Sequence, residues 1–485
     1  MNNHSPRFVS RLLPALILGM ATFSPQVHAQ TLTTLYSFCA ECGEDSVSVP
    51  NVDLVQAIDG DLYGTTFDGG TFAEGTIVQI TTGGTASIQY SLGGATQHGF
   101  TPGSHPLTGL AQAYNGLLYG TTADGGTRDS YGTSFVFSPN GSTFKTLNYF
   151  KGTAYGVGPS SALMQASNGN LYGTRYDIVT GAGTLISITP SGELSLFYSF
   201  CAQSGCADGS NPYGGLVQGS NGNLYGTTEQ GGANQAGTVF EITAAGALTT
   251  LYSFCSKRGC IDGDAPSTGL VQSTDGDFYG TTSGAGVGGG TIFKMTPSGE
   301  LTTLHTFCAQ RGCPDGSGPV TSLILAPDGN LFGITAYGGA YQKGTAFEIT
   351  PSGVLTTLYS FCSQADCADG ELPTGLMLDT DGNLYGTTEA GGANQYGTFY
   401  SLSVGLSPFV SLLPRFASAG TNITILGTNL TGATNVTFNG TGAVFSVISA
   451  SAIKATVPAG ASTGIVQVTT PGGVLSSNGK FHVNP

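Results

Sequence analysis

Residues 221–243 read NGNLYGTTEQGGANQAGTVFEIT, and residues 381–403 read DGNLYGTTEAGGANQYGTFYSLS, nearly a copy. Versions of this stretch recur along most of the chain. Their anchor is the aromatic residue of an (L/F)(Y/F)G element, found at Tyr63, Tyr119, Tyr172, Tyr225, Tyr279, Phe332 and Tyr385 in steps of 56, 53, 53, 54, 53 and 53 residues. Such a fixed period marks a repeat architecture, in which each unit buries its apolar face against its neighbours. Each copy holds four short runs of β character separated by Gly, Asp, Asn and Pro clusters. In the fourth copy they are GGLVQGS, NLYGTTEQ, GTVFEIT and ALTTLYSF, here called A, B, C and D. Short DGN or NGN turns join A to B and suit tight hairpins with positive φ. Four antiparallel strands repeated seven times predict an all-β fold: a seven-bladed β-propeller over residues 30–404.

The phase of the repeat predicts how the ring closes. The segment TLTTLYSF (31–38) is a D run with no A, B or C before it, and GTFYSLS (397–403) ends a last set with no D after it. The N-terminal strand is therefore expected to complete the last blade. Closure removes exposed sheet edges that would invite aggregation.

Residues 1–29 read as a secretory signal peptide. Arg7 and Arg11 precede the apolar run LLPALILGMATF (12–23), and VHA stands before Gln30. The run is too short to span a membrane as a helix, so no transmembrane segment is expected in the mature chain. The chain is expected to be secreted or held at the cell surface. Charged residues make up 9% of it, against ~25% in an average soluble protein. Its net charge of −15 becomes −17 once Arg7 and Arg11 are removed, which argues against nucleic acid as a partner. A monomer is expected.

The ten cysteines fall into five local pairs: Cys39/Cys42, Cys201/Cys206, Cys255/Cys260, Cys308/Cys313 and Cys362/Cys367. Each pair lies between a D strand and the next A strand. An even count in an exported chain points to disulfides that stiffen loops. Metal ligation is the rival reading, but no His accompanies the pairs. The last residues, 405–485, lack the LYG element and carry short alternating runs such as TNITILG and GIVQVTT. They predict an immunoglobulin-like β-sandwich.

The motifs DGNLYGTT (381–388), GG-x4-GT-x-F (231–240) and LTTLYSF (248–254) resemble those of the bacterial choice-of-anchor tandem repeat proteins of the GloVer type. That resemblance implies an exported propeller. The tail is similar to an IPT/TIG domain, through ITILGTNLTGATNVTFNG (423–440) and ATVPAGASTGIVQVTTPGG (455–473). This implies an immunoglobulin-like spacer or interaction module.

Two patterns that elsewhere mark chemistry lack their context. GAGVGG (284–289) is followed by a strand, where a dinucleotide site needs a helix N-terminus. Ser462 of GASTG lies in the β-sandwich tail, away from any strand–turn–helix. No cofactor is expected. Asp208, Asp262, Asp315 and Asp369 each follow a second loop Cys and precede Gly. They form either a carboxylate ring able to hold Ca²⁺ or ordinary turns.

The departures from the repeat supply the ligand-site expectation. The D–A connections at 91–106 and 149–160 lack Cys and hold His98, Phe100, His105 and Tyr155; nearby, Arg175 replaces the second Thr of YGTT and Tyr176 follows it. Loops on a rigid scaffold carry binding residues, and aromatic and polar groups together suit carbohydrate or peptide surfaces. The chain is thus expected to be a non-catalytic binding or scaffold protein for extracellular polysaccharide or a surface protein. The alternative is a glycan hydrolase or lyase using two loop carboxylates.

Overall fold

The computed structural model describes residues 30–39, 54–94, 101–127, 130–139, 141–151, 158–176, 181–284 and 288–484. The expected signal peptide, Cys42, His98, Phe100 and Tyr155 lie outside these. The fold is all-β, as expected. Seven separate sheets follow the seven repeats, and the remaining sheets belong to the tail. In repeat four, A (Val217–Gln218), B (Leu224–Thr228), C (Thr238–Ile242) and D (Leu248–Ser253) pair in that order, all antiparallel. Among the described residues no helix is long and apolar enough to cross a membrane.

The repeat motif is explained by close packing. Tyr225 of strand B is buried, and its ring lies 4.2 Å from Phe278 of repeat five. Gly226, next to it, has no room for a side chain. A Cβ there would stand 2.7 Å from the Phe240 ring and 2.8 Å from Leu216. The Phe that ends each regular D strand locks the next sheet. Phe200 meets Phe240, Phe254 meets Phe293 and Phe307 meets Phe347, all T-shaped at 5.2 to 5.3 Å between centroids. Burying an aromatic ring of this kind contributes roughly 1.5–3 kcal/mol.

Strand Thr31–Ser37 is the fourth strand of the seventh sheet. It pairs antiparallel with Thr398–Ser403, from Thr31↔Ser403 to Ser37↔Thr398. The register slips by one residue between Thr34 and Tyr36, leaving Leu35 extra. In repeat four it slips at the equivalent place, between Thr250 and Tyr252. The shared bulge marks Thr31–Ser37 as a D strand by geometry as well as by sequence. Its terminal Phe38 packs in one core with Tyr385 and Phe399 of repeat seven and with Leu54, Leu62 and Val78 of repeat one.

Residues 411–484 form the immunoglobulin-like tail. One sheet orders Ser411–Leu413, Asn422–Leu426, Ala452–Thr456 and Phe445–Val447; a second orders Thr441–Gly442, Asn435–Phe438, Val466–Thr470 and Gly473–Ser476. Alternate residues such as Ile423, Ile425, Val466 and Val468 point into a shared core.

Candidate functional site

The two ends of the repeat sheets do different work. At one end, the cysteine loops and B–C loops interlock. Gln235 of one B–C loop donates to the Gly205 carbonyl of the cysteine loop (2.8 Å), and Gln395 does the same to Asp366 (3.0 Å). Four of the expected disulfides are present: Cys201–Cys206, Cys255–Cys260, Cys308–Cys313 and Cys362–Cys367, with Cα separations of 4.0 to 4.1 Å. Cys362 and Cys367 lie near Glu371. Because the two sulfurs are bonded to each other, they offer no thiolate to a metal.

The loop aspartates are structural. Asp208, Asp262 and Asp369 are fully buried. Asp262 accepts from the Tyr252 hydroxyl (2.7 Å), the Ser256 amide and hydroxyl (2.8 Å each) and the Lys257 amide (3.2 Å). Burial pushes its carboxyl up, but these hydrogen bonds outweigh burial and hold it below the usual range. Repeat five uses His305 in place of Tyr, 2.8 Å from Asp315. These carboxylates tie each loop to its D strand and leave little capacity for a cation.

The expected ligand residues that are described do not form one cluster. Tyr176 stacks on Tyr213, with centroids 5.6 Å apart and planes 17° apart. His105 is half-buried, 3.3 Å from Asp124, with its ring 4.7 Å from Phe67. Arg175 is fully buried rather than exposed to a ligand. It reaches the Tyr131 carbonyl (3.3 Å), and its guanidinium lies 4.0 Å from the Phe150 ring centre. Desolvation lowers its pKa to about 10. It stands where the other six repeats carry a Thr.

Two cavities lie along the A strands. The first, ≈ 250 Å³, opens towards the loop end. Its wall carries hydroxyls, including Thr108, Ser161, Thr268, Thr321 and Thr374, and its rim includes the exposed Leu107, Tyr213 and Val320. Most of these hydroxyls pair with a strand-B Thr, as Thr268 does with Thr281 at 2.8 Å. In repeat six Ile334 replaces that Thr, and the buried Thr321 hydroxyl has no partner among the described residues.

The second cavity, ≈ 570 Å³, lies at the turn end. The A strands of repeats two to six form one side of it. The tail forms the other, with Leu412 to Phe416, Gly479, Lys480 and His482. The tail also touches the A–B turns around this end. Ser451 donates to the Ile58 carbonyl (2.8 Å), Phe409 to Thr380 (3.0 Å) and Lys480 to Thr274 (3.2 Å).

A ladder of glutamines joins the sheets at this second cavity, which sequence reasoning missed. Gln165, Gln218 and Gln272 accept from the turn amides of Tyr114, Ser167 and Ser220, each in the preceding repeat, at 2.7 to 2.9 Å. Gln112, with its amide turned to satisfy both partners, bonds the Gln56 carbonyl and the Ile58 amide. Gln56 donates to Thr380 of repeat seven (3.0 Å). The signal was present as a Gln before the A–B turn at the period of the repeat. Arg415, Lys480 and His482 gave no such signal, because the tail does not repeat.

Comparison with known proteins gives solved structures of low sequence identity and two family models. The extracellular domain of a one-component system from B. thetaiotaomicron is similar at TM-score 0.50 and 12% identity, over 92% of this chain and 52% of that one. The extracellular domain of a hybrid two-component system from the same organism gives TM-score 0.48 and 12% identity, over 82% and 46%. The chain thus spans about half the length of these two proteins. A fungal alcohol oxidase of the AA5 family, solved with copper, gives TM-score 0.48 and 14% identity, over 91% and 100%. At such identities the likeness concerns the fold alone. No curated protein matches the sequence. The IPT/TIG domain model matches residues 409–483. The Gloeobacter/Verrucomicrobia repeat model matches residues 20–207 and 202–400, so the chain belongs to that repeat family and carries an IPT/TIG domain at its end.

Proposed function

We propose that the protein is an exported, non-catalytic binding protein for extracellular polysaccharide, built as a seven-bladed propeller over residues 30–404 with an IPT/TIG domain over 405–485. Ring closure is supported by Phe38 packing between repeats seven and one and by the Gln56–Thr380 hydrogen bond. In a closed ring the A strands line a central channel, and the two cavities are its two ends. The local disulfides support export.

The observation that carries the binding reading is the stacked Tyr176–Tyr213 pair beside the hydroxyl-lined mouth of the channel. Phe72, Tyr341 and Tyr396 on B–C loops, and Tyr131 and Tyr337 on the strand ends that flank such loops, are exposed at the same end. Flat aromatic faces among hydroxyls suit sugar rings, which offer C–H faces and hydroxyl edges. His105 and Tyr176 are the candidate contacts, with Arg175 supporting the region from beneath. Neither cavity is lined by a carboxylate among the described residues, which favours binding over glycan cleavage in the channel.

The test is retention of the mature protein on a polysaccharide panel, with released products followed in parallel. Retention lost in Tyr176→Ala with Tyr213→Ala is expected. Released reducing ends would move the hydrolase reading forward. Closure is tested by deleting residues 31–38. A large drop in melting temperature is expected, and an unchanged one would mean that the ring does not depend on this strand.

A further inference from the structure

The turn-end cavity has a chemistry that neither unit has alone. Its repeat side is mainly apolar, with Leu163, Leu216, Val217 and Val271 on the wall. The glutamine amides that reach it are already engaged by neighbouring turns. The IPT/TIG side brings Arg415, Lys480 and His482, and no carboxylate lines the cavity among the described residues. Arg415 and Lys480 are two of only fourteen Lys and Arg residues in a chain of net charge −15.

The partners of these cations are neutral. Arg415 donates to the Asn478 side-chain oxygen (2.9 Å), and Lys480 donates to the Thr274 carbonyl (3.2 Å). The His482 ring stacks on Phe416 at 5.1 Å. Burial holds its pKa below the usual histidine range, and repulsion from Lys480 and Arg415 adds to this. Like charges gathered around a partly desolvated space are costly until an anion joins them.

We propose that this cavity binds a small organic anion: a carboxylate on an apolar body. The carboxylate meets Arg415 and Lys480, where the guanidinium fork suits its two oxygens. The apolar body lies against Leu216, Val217 and Val271. The ≈ 570 Å³ volume falls within the roughly 300–1,000 Å³ of pockets that hold drug-sized molecules. Because both units form the walls, the bound anion also fastens the IPT/TIG domain to the repeats and stabilises their docked arrangement by mass action.

The test uses the full mature chain with naphthoate as the probe and neutral naphthamide as its control, followed by titration calorimetry. Naphthoate is expected to bind about ten-fold more tightly than naphthamide, since only the acid can pair with the cations. Lys480→Glu changes an exposed side chain, so the fold should persist while naphthoate affinity falls about ten-fold. Thr274→Trp narrows the cavity from the repeat side and should weaken both probes. Three results would overturn the proposal: no binding of millimolar naphthoate, equal affinity for acid and amide, or full naphthoate affinity in folded Lys480→Glu. Polysaccharide retention at the loop end should be unchanged in Lys480→Glu, so this inference and the proposed function can fail separately.

Discussion

Repeats three and four pair their B and C strands in the same register, yet their loop ends differ. In repeat four the Thr228 hydroxyl meets Thr238 at 2.8 Å, and the loop leading in is tied by Cys201–Cys206 and organised by Asp208. Repeat three has no cysteine in that loop. Arg175 faces Thr184 in the same register and packs on Phe150 of the preceding repeat. The middle of each sheet is shared: Tyr172 and Tyr225 are both buried, and Phe150 and Phe200 both close the gap to the previous sheet. Packing therefore constrains the sheet interior, while the loop end is free to change chemistry.

Four experiments can break or sharpen this contrast. Phe254→Ala removes a lock between regular repeats, and Phe150→Ala removes its counterpart beside Arg175. Each should cost about 3–5 kcal/mol in urea unfolding. A cost well below that for Phe150 alone would show that repeats two and three are packed differently from the rest. Asp262→Ala removes an acceptor from the Tyr252 hydroxyl and from two loop amides, and should cost about 1–3 kcal/mol. Faster proteolysis confined to residues 255–263 would place the loss in the loop.

A third experiment concerns pH. Asp379, in the A–B turn of repeat seven, is buried, and its Oδ1 has no partner among the described residues. Burial, reinforced by the charge on Asp381, raises its pKa from the usual 3.8 to about 7. The folded state then keeps a proton that the unfolded chain releases. The resulting stability is complete below pH 3.8 and is lost as pH rises to about 7. Asp379→Asn should flatten that slope, as read from melting temperature against pH. The smallest effect is expected from Arg175→Thr, which removes a buried, poorly partnered guanidinium and restores the hydroxyl pair with position 184. A gain of about 1 kcal/mol is expected. A clear loss would show that Arg175 has partners the repeat cannot replace.

Much of the fold was legible because it repeats. A seven-fold echo of LYG fixes strand order, and the stray D run at 31–38 locates its own partner. The loop disulfides followed from the local spacing of the cysteines. The candidate sites were less legible. Arg175 read as a ligand-site departure from YGTT, because a sequence does not say which face of a strand has room for a long side chain. The cation-lined cavity joins residues 111–325 to residues 412–482, a conjunction made by docking two units rather than by any local pattern.

The pairing of Thr31–Ser37 with Thr398–Ser403 has a consequence in time. The first strand leaves the ribosome hundreds of residues before its partner exists. Until Thr398–Ser403 arrives, it must wait unpaired, and the growing array keeps an open edge. A chain stopped or cut before that point keeps a strand that can pair with other chains. A long-range pairing of this kind is slow to form, because loop closure precedes any reward from contact. The same strand therefore serves as a test of completeness: only a chain carrying both termini of the array can complete the seventh sheet.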